Sequence, residues 1–318
     1  MGRCPAVRGA AALPLLKRGG GAGAMTLDFI LFLSINGVAQ GMLLFIIASG
    51  LSLVFGVLRV INFAHGSLYM IGAFLACSLS ALLAGTSLLH FLLLLVLVPP
   101  AVALLGFLVE TTLFRRIYRR EHLMQLLLTY ALVLIFDDLA RVVWGGDLRN
   151  VARPELLAGS VEVFGLFLPS YNVFILILGP IIGLGLWLLL YRTRSGKLIR
   201  AAVSYPQMLS ALGVNVSALM TATFMLGCWL AGFGGVLMSG LANIDLGIGM
   251  EKIIECFAVV VIGGLGSVGG TMLGAIIIGV GSSFIQVPLS RLATMFPYIV
   301  MALVLIIRPW GLFGKPER

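Results

Sequence analysis

Few residues of this chain are of a kind that does covalent or acid–base chemistry, and their spacing keeps them apart. The three histidines, His65, His90 and His122, fall in separate segments. The four cysteines, Cys4, Cys77, Cys228 and Cys256, are too dispersed for a metal or disulfide framework. Three of them lie in apolar runs and read as small hydrophobes. The chain has no GxxxxGK phosphate loop followed by Ser or Thr, and no GxSxG nucleophile elbow. Neither catalysis nor a bound cofactor or metal is expected here, so an energy source must lie on another chain or in an ion gradient.

The ionisable groups inside apolar runs are Glu110, Asp137 with Asp138 and Arg141, and Glu251, Lys252 and Glu255. Such groups are costly in lipid and often serve coupling in ion-driven carriers. Asp137 and Arg141 stand four apart on one helix face and are expected to pair, while Glu110 and the Glu251–Glu255 group lie close to segment ends. Interfacial or self-paired structural roles fit them better than proton or ion relay. The reading of a stand-alone ion-coupled carrier or channel for small polar solutes stays open as the alternative.

The surroundings of these residues are lipid-like. The chain of 318 residues is 60% hydrophobic and 10% charged, with a mean hydropathy of +1.13, against roughly 45–50% and 25% in soluble domains. Apolar segments run over about 27–57, 63–85, 88–112, 124–144, 171–191, 218–241, 253–281 and 290–308. At about 20 residues per crossing, the expected fold is all-α: a polytopic transmembrane bundle of about eight apolar segments with glycine-broken or re-entrant helices. Residues 25–318 form one such domain. Residues 1–24, rich in Gly, Ala, Pro and Arg, are expected to be a disordered extension or a mis-assigned start, with Met25 the physiological initiator. The net charge of +9 sits in short loops beside spans, which is the footprint of topology and not of nucleic-acid binding.

Arg115, Arg116, Arg119 and Arg120, then Arg192, Arg194, Lys197 and Arg200, then Arg308, Lys315 and Arg318, mark cytoplasmic sites. Residues 145–170 are then outside. Parity requires segment 253–281 to begin and end outside, and its 29 positions would make a helix of about 44 Å. A hairpin broken at Gly263-Gly264-Leu265-Gly266-Ser267-Val268-Gly269-Gly270 fits both constraints. Close packing through Gly270 and Gly274 is an equally weighted reading. A second interruption, Arg59 to Gly66, reads as a tight cytoplasmic turn. The echo of Gly66 and Gly72-Ala73 in Gly270 and Gly274-Ala275 is too short to establish an inverted repeat.

The stretch from Arg192 to Asn215 is too long for an ordinary helical connection of about 2–8 residues and too apolar for a solvated tether. Val203, Pro206, Leu209 and Leu212 suit a short helix with one apolar face, stopped by Gly213. Such a helix would dock a soluble subunit, or else lie on lipid headgroups.

At these residues the sequence resembles the LivH-type branched-chain amino acid permeases of ABC importers. The match is carried by the run from Gly50-Leu51 to Val57 leading into Asn62-Phe63-Ala64-His65-Gly66, by the Arg192–Asn215 loop, by the Gly263–Gly270 break, and by the terminal Arg308-Pro309-Trp310-Gly311-Leu312-Phe313-Gly314. The resemblance implies an amino-acid permease subunit in a bacterial cytoplasmic (inner) membrane, embedded in lipid. It also implies a second, LivM-like permease chain, two cytoplasmic ATPase subunits carrying ATP and magnesium, and a periplasmic substrate-binding protein. By that resemblance Arg192, Arg194, Arg200, Ala201, Ser204, Gly213 and Asn215 couple to the ATPases, and Asn62, Phe63, His65, Gly66, Gly263, Gly264, Gly266 and Ser267 lie at or near the translocation path. The acidic pair Asp137-Asp138 departs from the family pattern and leaves the choice among amino acids, amides and urea open.

Overall fold

The computed structural model describes residues 27–314 apart from Ala84, Thr86, Arg119 and Phe164. The expectations for residues 1–24, Met25, Arg119, Lys315 and Arg318 lie outside the described residues. The chain folds as a helical bundle in the order α1 Leu27–Leu58, α2 Ala64–Leu83, α3 Leu88–Val109, a π-helical segment Glu110–Phe114, α4 Arg115–Ile117 and α5 His122–Trp144. A single turn, α6 Glu155–Ala158, and a small hairpin of β1 Ser160–Val163 and β2 Leu166–Pro169 follow. The remainder is α7 Ser170–Arg192, α8 Arg194–Ser204, α9 Pro206–Ala211, α10 Val216–Ser239, α11 Ile248–Gly263, α12 Val268–Gln286, α13 Ser290–Ala293 and α14 Phe296–Ile307. Among the described residues six helices are long and apolar enough to cross a membrane, fewer than the eight apolar segments expected. The two segments without such a helix are 124–144, which folds as α5 with Asp137, Asp138 and Arg141, and 290–308, which folds mainly as the 12-residue α14; segment 253–281 is divided between α11 and α12.

α1 is the central post. Its 32 residues span about 48 Å, and Phe45, Ile46 and Ala48 in its middle are fully buried. Small residues let neighbours approach its backbone: Gly37 and Gly41 face α12 at Gly279 and Ala275, Gly50 faces Gly227 of α10, and Gly56 faces Gly266. Outer ends are tied by the Asn172–Asn36 hydrogen bond between α7 and α1 and by Ser283 Oγ donating to the Leu33 carbonyl. The loop after α5 is fastened to the turn after α10 by an Arg149–Ile244 bridge and by Arg153, which donates to the Gly240 and Leu241 carbonyls.

The segment folds as a hairpin that is larger than expected. α11 and α12 extend it to residues 248–286, with arms of about 24 and 28 Å. Its tip does not stop at mid-depth; Gly266 lies against Gly56, near the inner end of α1. Both readings of the glycines hold together. Gly264 takes φ +100° to turn the chain, while Gly274 packs so closely on Val259 and Gly263 that a side chain would collide with their backbone.

The other interruption is the one that ends at membrane depth, a correction to its reading as a tight cytoplasmic turn. His65 in the first turn of α2 contacts the Ile47 carbonyl through Nε2 at 3.0 Å, and Gly50 lies beside its ring. Ile47 is 11 residues from the end of α1 at Leu58, so α2 starts about 16 Å above that end. Residues 59–63 climb that distance, which five residues at up to about 3.3–3.6 Å each can span. A turn cannot be recognised as climbing from its own residues, because only the helix it delivers shows how far it rose.

Candidate functional site

The coupling stretch is built as two helices. α8 starts where the Thr193 side chain accepts a hydrogen bond from the Gly196 N–H, and it buries Gly196, Ile199 and Ala202. Its other face is exposed and basic, with the Arg200 guanidinium 4.5 Å from the centre of the Tyr191 ring and Arg192, at the end of α7, over Trp187. α9 buries Leu209 and exposes Tyr205, Met208 and Leu212, so the expected apolar face of Val203, Pro206, Leu209 and Leu212 is divided: Leu209 points in and Pro206 and Leu212 point out. Gly213 ends the segment at φ +80°, and Asn215 caps α10 by accepting from the Ala218 N–H. Arg194, Ser204, Gly213 and Asn215 are exposed, and Ala201 is half-buried.

What α8 rests on joins stretches far apart in sequence. A crevice of about 80 Å³ is shared by Arg200 and Val203 of α8, Gly56 and Val57 of α1, Tyr191 of α7, and Gly266 and Val268 of the hairpin tip. The tip is locked from below by the chain's end. Leu312 N–H donates to the Ile262 carbonyl at 2.9 Å and Phe313 N–H to the Gly263 carbonyl at 3.1 Å, which satisfies two of the carbonyls that the end of α11 would otherwise leave unpaired. Ser267 caps α12 by accepting from the Gly270 N–H. The end of α1, α8, the glycine break and the terminal motif thus lie together at one end of the bundle.

The predicted path residues separate into two groups. Gly66 packs against Gly249 at the start of α11, whereas Gly263 ends the same helix, 14 residues or about 21 Å away. Gly263, Gly264, Gly266 and Ser267 lie at the end just described. Asn62, His65 and Gly66 are buried at mid-depth and Phe63 is half-buried. Around them lie polar atoms without partners: both amide atoms of Asn62, Nδ1 of His65, and the hydroxyls of Ser52 and Tyr69. Buried polar groups are nearly always paired, so such a concentration marks a place shaped for something other than packing. Sequence reasoning missed Ser52 and Tyr69. The four-residue spacing of His65 and Tyr69, which puts both on one face of α2, was the available signal.

Of the ionisable groups inside the apolar runs, the Asp137–Arg141 pairing differs from expectation. Arg141 pairs with Asp138 at 3.6 Å and not with Asp137; Asp137 instead accepts from Ser67 of α2, a tertiary partner that helix spacing cannot reveal. Glu110 is fully buried and self-contained. Arg115 reaches it at 3.3 Å, Thr221 of α10 donates to it at 2.8 Å, and Tyr118 donates at 3.3 Å. Burial, reinforced by this carboxylate, pushes the Tyr118 phenol well above its ordinary range. Lys252 and Glu255 pair at 2.8 Å, which is the self-paired arrangement expected, and Glu251 stands in the first turn of α11. Among the described residues no cluster of His, Cys, Asp and Glu could hold a metal ion.

Known proteins are similar to this chain over most of its length. The family described as the permease component of the branched-chain amino acid transport system matches residues 33–307. The permease protein BraD of a high-affinity branched-chain amino acid transport system, from Pseudomonas aeruginosa, is 30% identical over 89% of this chain and 95% of its own. LivH of the corresponding system in Escherichia coli is 28% identical over 92% and 99%. A probable LivH permease of Methanocaldococcus jannaschii is 30% identical over 86% and 89%. No solved structure gives a significant match. With the family match running through residues 33–307 of a multi-pass helical bundle, the chain belongs to the permease components of branched-chain amino acid transport systems.

Proposed function

We propose that this chain forms half of the transmembrane pathway of an ABC importer that moves branched-chain or related amino acids across the cytoplasmic membrane. A second, LivM-like permease chain completes the pathway, a periplasmic binding protein delivers cargo, and two cytoplasmic ATPases with ATP and magnesium dock on α8 and α9. This chain hydrolyses nothing itself. The observation that carries the reading is the crevice that α8 shares with the end of α1 and the α11–α12 tip. Closure of the ATPases displaces α8, and α8 shifts the helices that bound the path at Asn62–Gly66. Nucleotide acts only through its different affinity for the two states of the assembly.

Gly213→Trp tests this. Gly213 is exposed with open space around it, so the indole adds bulk to the docking face. In the complete complex, uptake and cargo-stimulated ATP hydrolysis are expected to be lost while the subunits remain assembled. Wild-type uptake would refute the docking role.

A further inference from the structure

α7 is the most peripheral of the six long apolar helices: 28% of its most apolar stretch is buried in the bundle, against 44–83% in the other five. Ile177, Ile181, Leu184, Leu188 and Tyr191, spaced alternately by four and three residues, form its exposed stripe. The stripe is aliphatic until its last turns, where aromatic rings take over. Trp187 and Tyr191 stack there with centroids 6.0 Å apart, and such residues mark the level at which a bilayer meets water.

Two cations are laid on these rings. The Arg192 guanidinium stands 5.8 Å from the centre of the Trp187 ring, and that of Arg200, from α8, 4.5 Å from the centre of the Tyr191 ring. Trp187 precedes Arg192 by five residues, about 8 Å along the helix, so the Arg192 charge is drawn back along the spanning helix. Stacking occupies one face of each guanidinium and leaves its N–H edge, the part that binds phosphate bidentately. Among the described residues no carboxylate takes that edge: the ion pairs are those of Arg115, Arg141 and Lys252. From Tyr191 to Tyr205 the chain carries Arg192, Arg194, Lys197 and Arg200 and no acidic residue, and Lys197 shares a face of α8 with Arg200, three residues on. α9 differs. It has no charged residue and exposes Tyr205 before it, Met208 within it and Leu212 after it, which is a surface for a soluble protein. The cationic edge of α8, by contrast, is bound to the rings of a membrane helix and complements an anionic bilayer surface.

We propose that Arg192 and Arg200, held on Trp187 and Tyr191, form a seat for the phosphate of an anionic phospholipid of the cytoplasmic leaflet, whose acyl chains lie along the exposed stripe of α7. The seat goes beyond the importer reading and does not depend on the cargo or on the path at Asn62–Gly66.

Tryptophan quenching in nanodiscs tests it. The full-length chain, alone and in the assembled importer, is placed in phosphatidylcholine nanodiscs with rising fractions of either phosphatidylglycerol or phosphatidylcholine brominated on the acyl carbons nearest the headgroup. The Trp187 signal is the difference between the protein and its Trp187→Phe variant. Half-maximal quenching is expected at a phosphatidylglycerol fraction at least about threefold lower than that of phosphatidylcholine. Arg192→Gln with Arg200→Gln is expected to bring the two lipids to the same fraction while both still quench. A Trp187 that neither lipid quenches in the assembled importer means that protein covers this face, and it overturns the seat. Equal fractions for the two lipids, or a preference that survives the double substitution, overturn it as well. If the double variant does not fold, the comparison of lipids on the unsubstituted protein decides alone. The docking role of α8 and α9 stands or falls with uptake by Gly213→Trp, which lipid quenching does not read, so the two failures are distinguishable.

Discussion

The two interrupted regions, Arg59–Phe63 before α2 and Gly264–Ser267 before α12, are alike in sequence terms and opposite in construction. At the hairpin tip the neighbouring backbone groups find partners: Gly264 donates to Val260, Leu312 and Phe313 to the α11 carbonyls, and Ser267 caps the next helix. At the ascent the side chains are abandoned, with Asn62, His65, Ser52 and Tyr69 all holding unpartnered polar atoms. A satisfied turn transmits force; an unsatisfied one waits for a ligand or water. The contrast supports the proposed function, in which the tip has the mechanical part and the ascent the chemical part.

Breaking the tip should have the largest effect. Gly264→Val puts a β-branched residue at φ +100° against the backbone of Phe313 and Gly314, combining strain of about 1–3 kcal/mol with expulsion of the tail. The expected outcome is loss of folded, monodisperse protein on size exclusion. Next comes Glu110→Ala, which leaves Arg115 without its carboxylate and Tyr118 without its acceptor, while Thr221 keeps the Ser217 carbonyl. A loss of about 1–3 kcal/mol, read as a lowered Tm in detergent, is expected, and a neutral result would remove Glu110 from the load path between α3 and α10. Deleting residues 309–318 frees two α11 carbonyls and should cost about 1–3 kcal/mol, with a larger fall in coupling of ATP hydrolysis to uptake than in assembly.

The smallest stability effect is expected at the ascent. Asn62→Leu exchanges an unsatisfied buried amide for an apolar group of similar size, a change that is neutral or mildly stabilising when no partner is lost. Uptake should nevertheless fall at least tenfold. Equal retention of uptake and stability would reduce Asn62 to packing and erase the contrast between the two regions.

How much of this was legible from residues alone follows the same division. Gly263–Gly270 announced a turn because glycine permits angles and approaches that other residues resist, and charge parity placed both ends of the hairpin on one side. The ascent was not legible. Its residues show that a helix stops and another begins, but the rise of about 16 Å appears only when His65 is seen beside Ile47. The partition of α9 also needed the fold, since Leu209 and Leu212 are equally apolar and only packing buries one of them. Asp137 and Asp138 both had helical access to Arg141, and Ser67 on another helix decided between them. The terminal motif matched a family before it had a role; its backbone pairing with α11 supplies one.

The most direct test joins the coupling helix to the tip. Val203 and Val268 line the same crevice from α8 and α12, so Val203→Cys with Val268→Cys in the assembled importer can be bridged by a short bifunctional methanethiosulfonate. Bridging should abolish leucine uptake, and reductant should restore it. Undiminished uptake with the bridge fully formed would contradict the claim that α8 must move against the tip for cargo to pass.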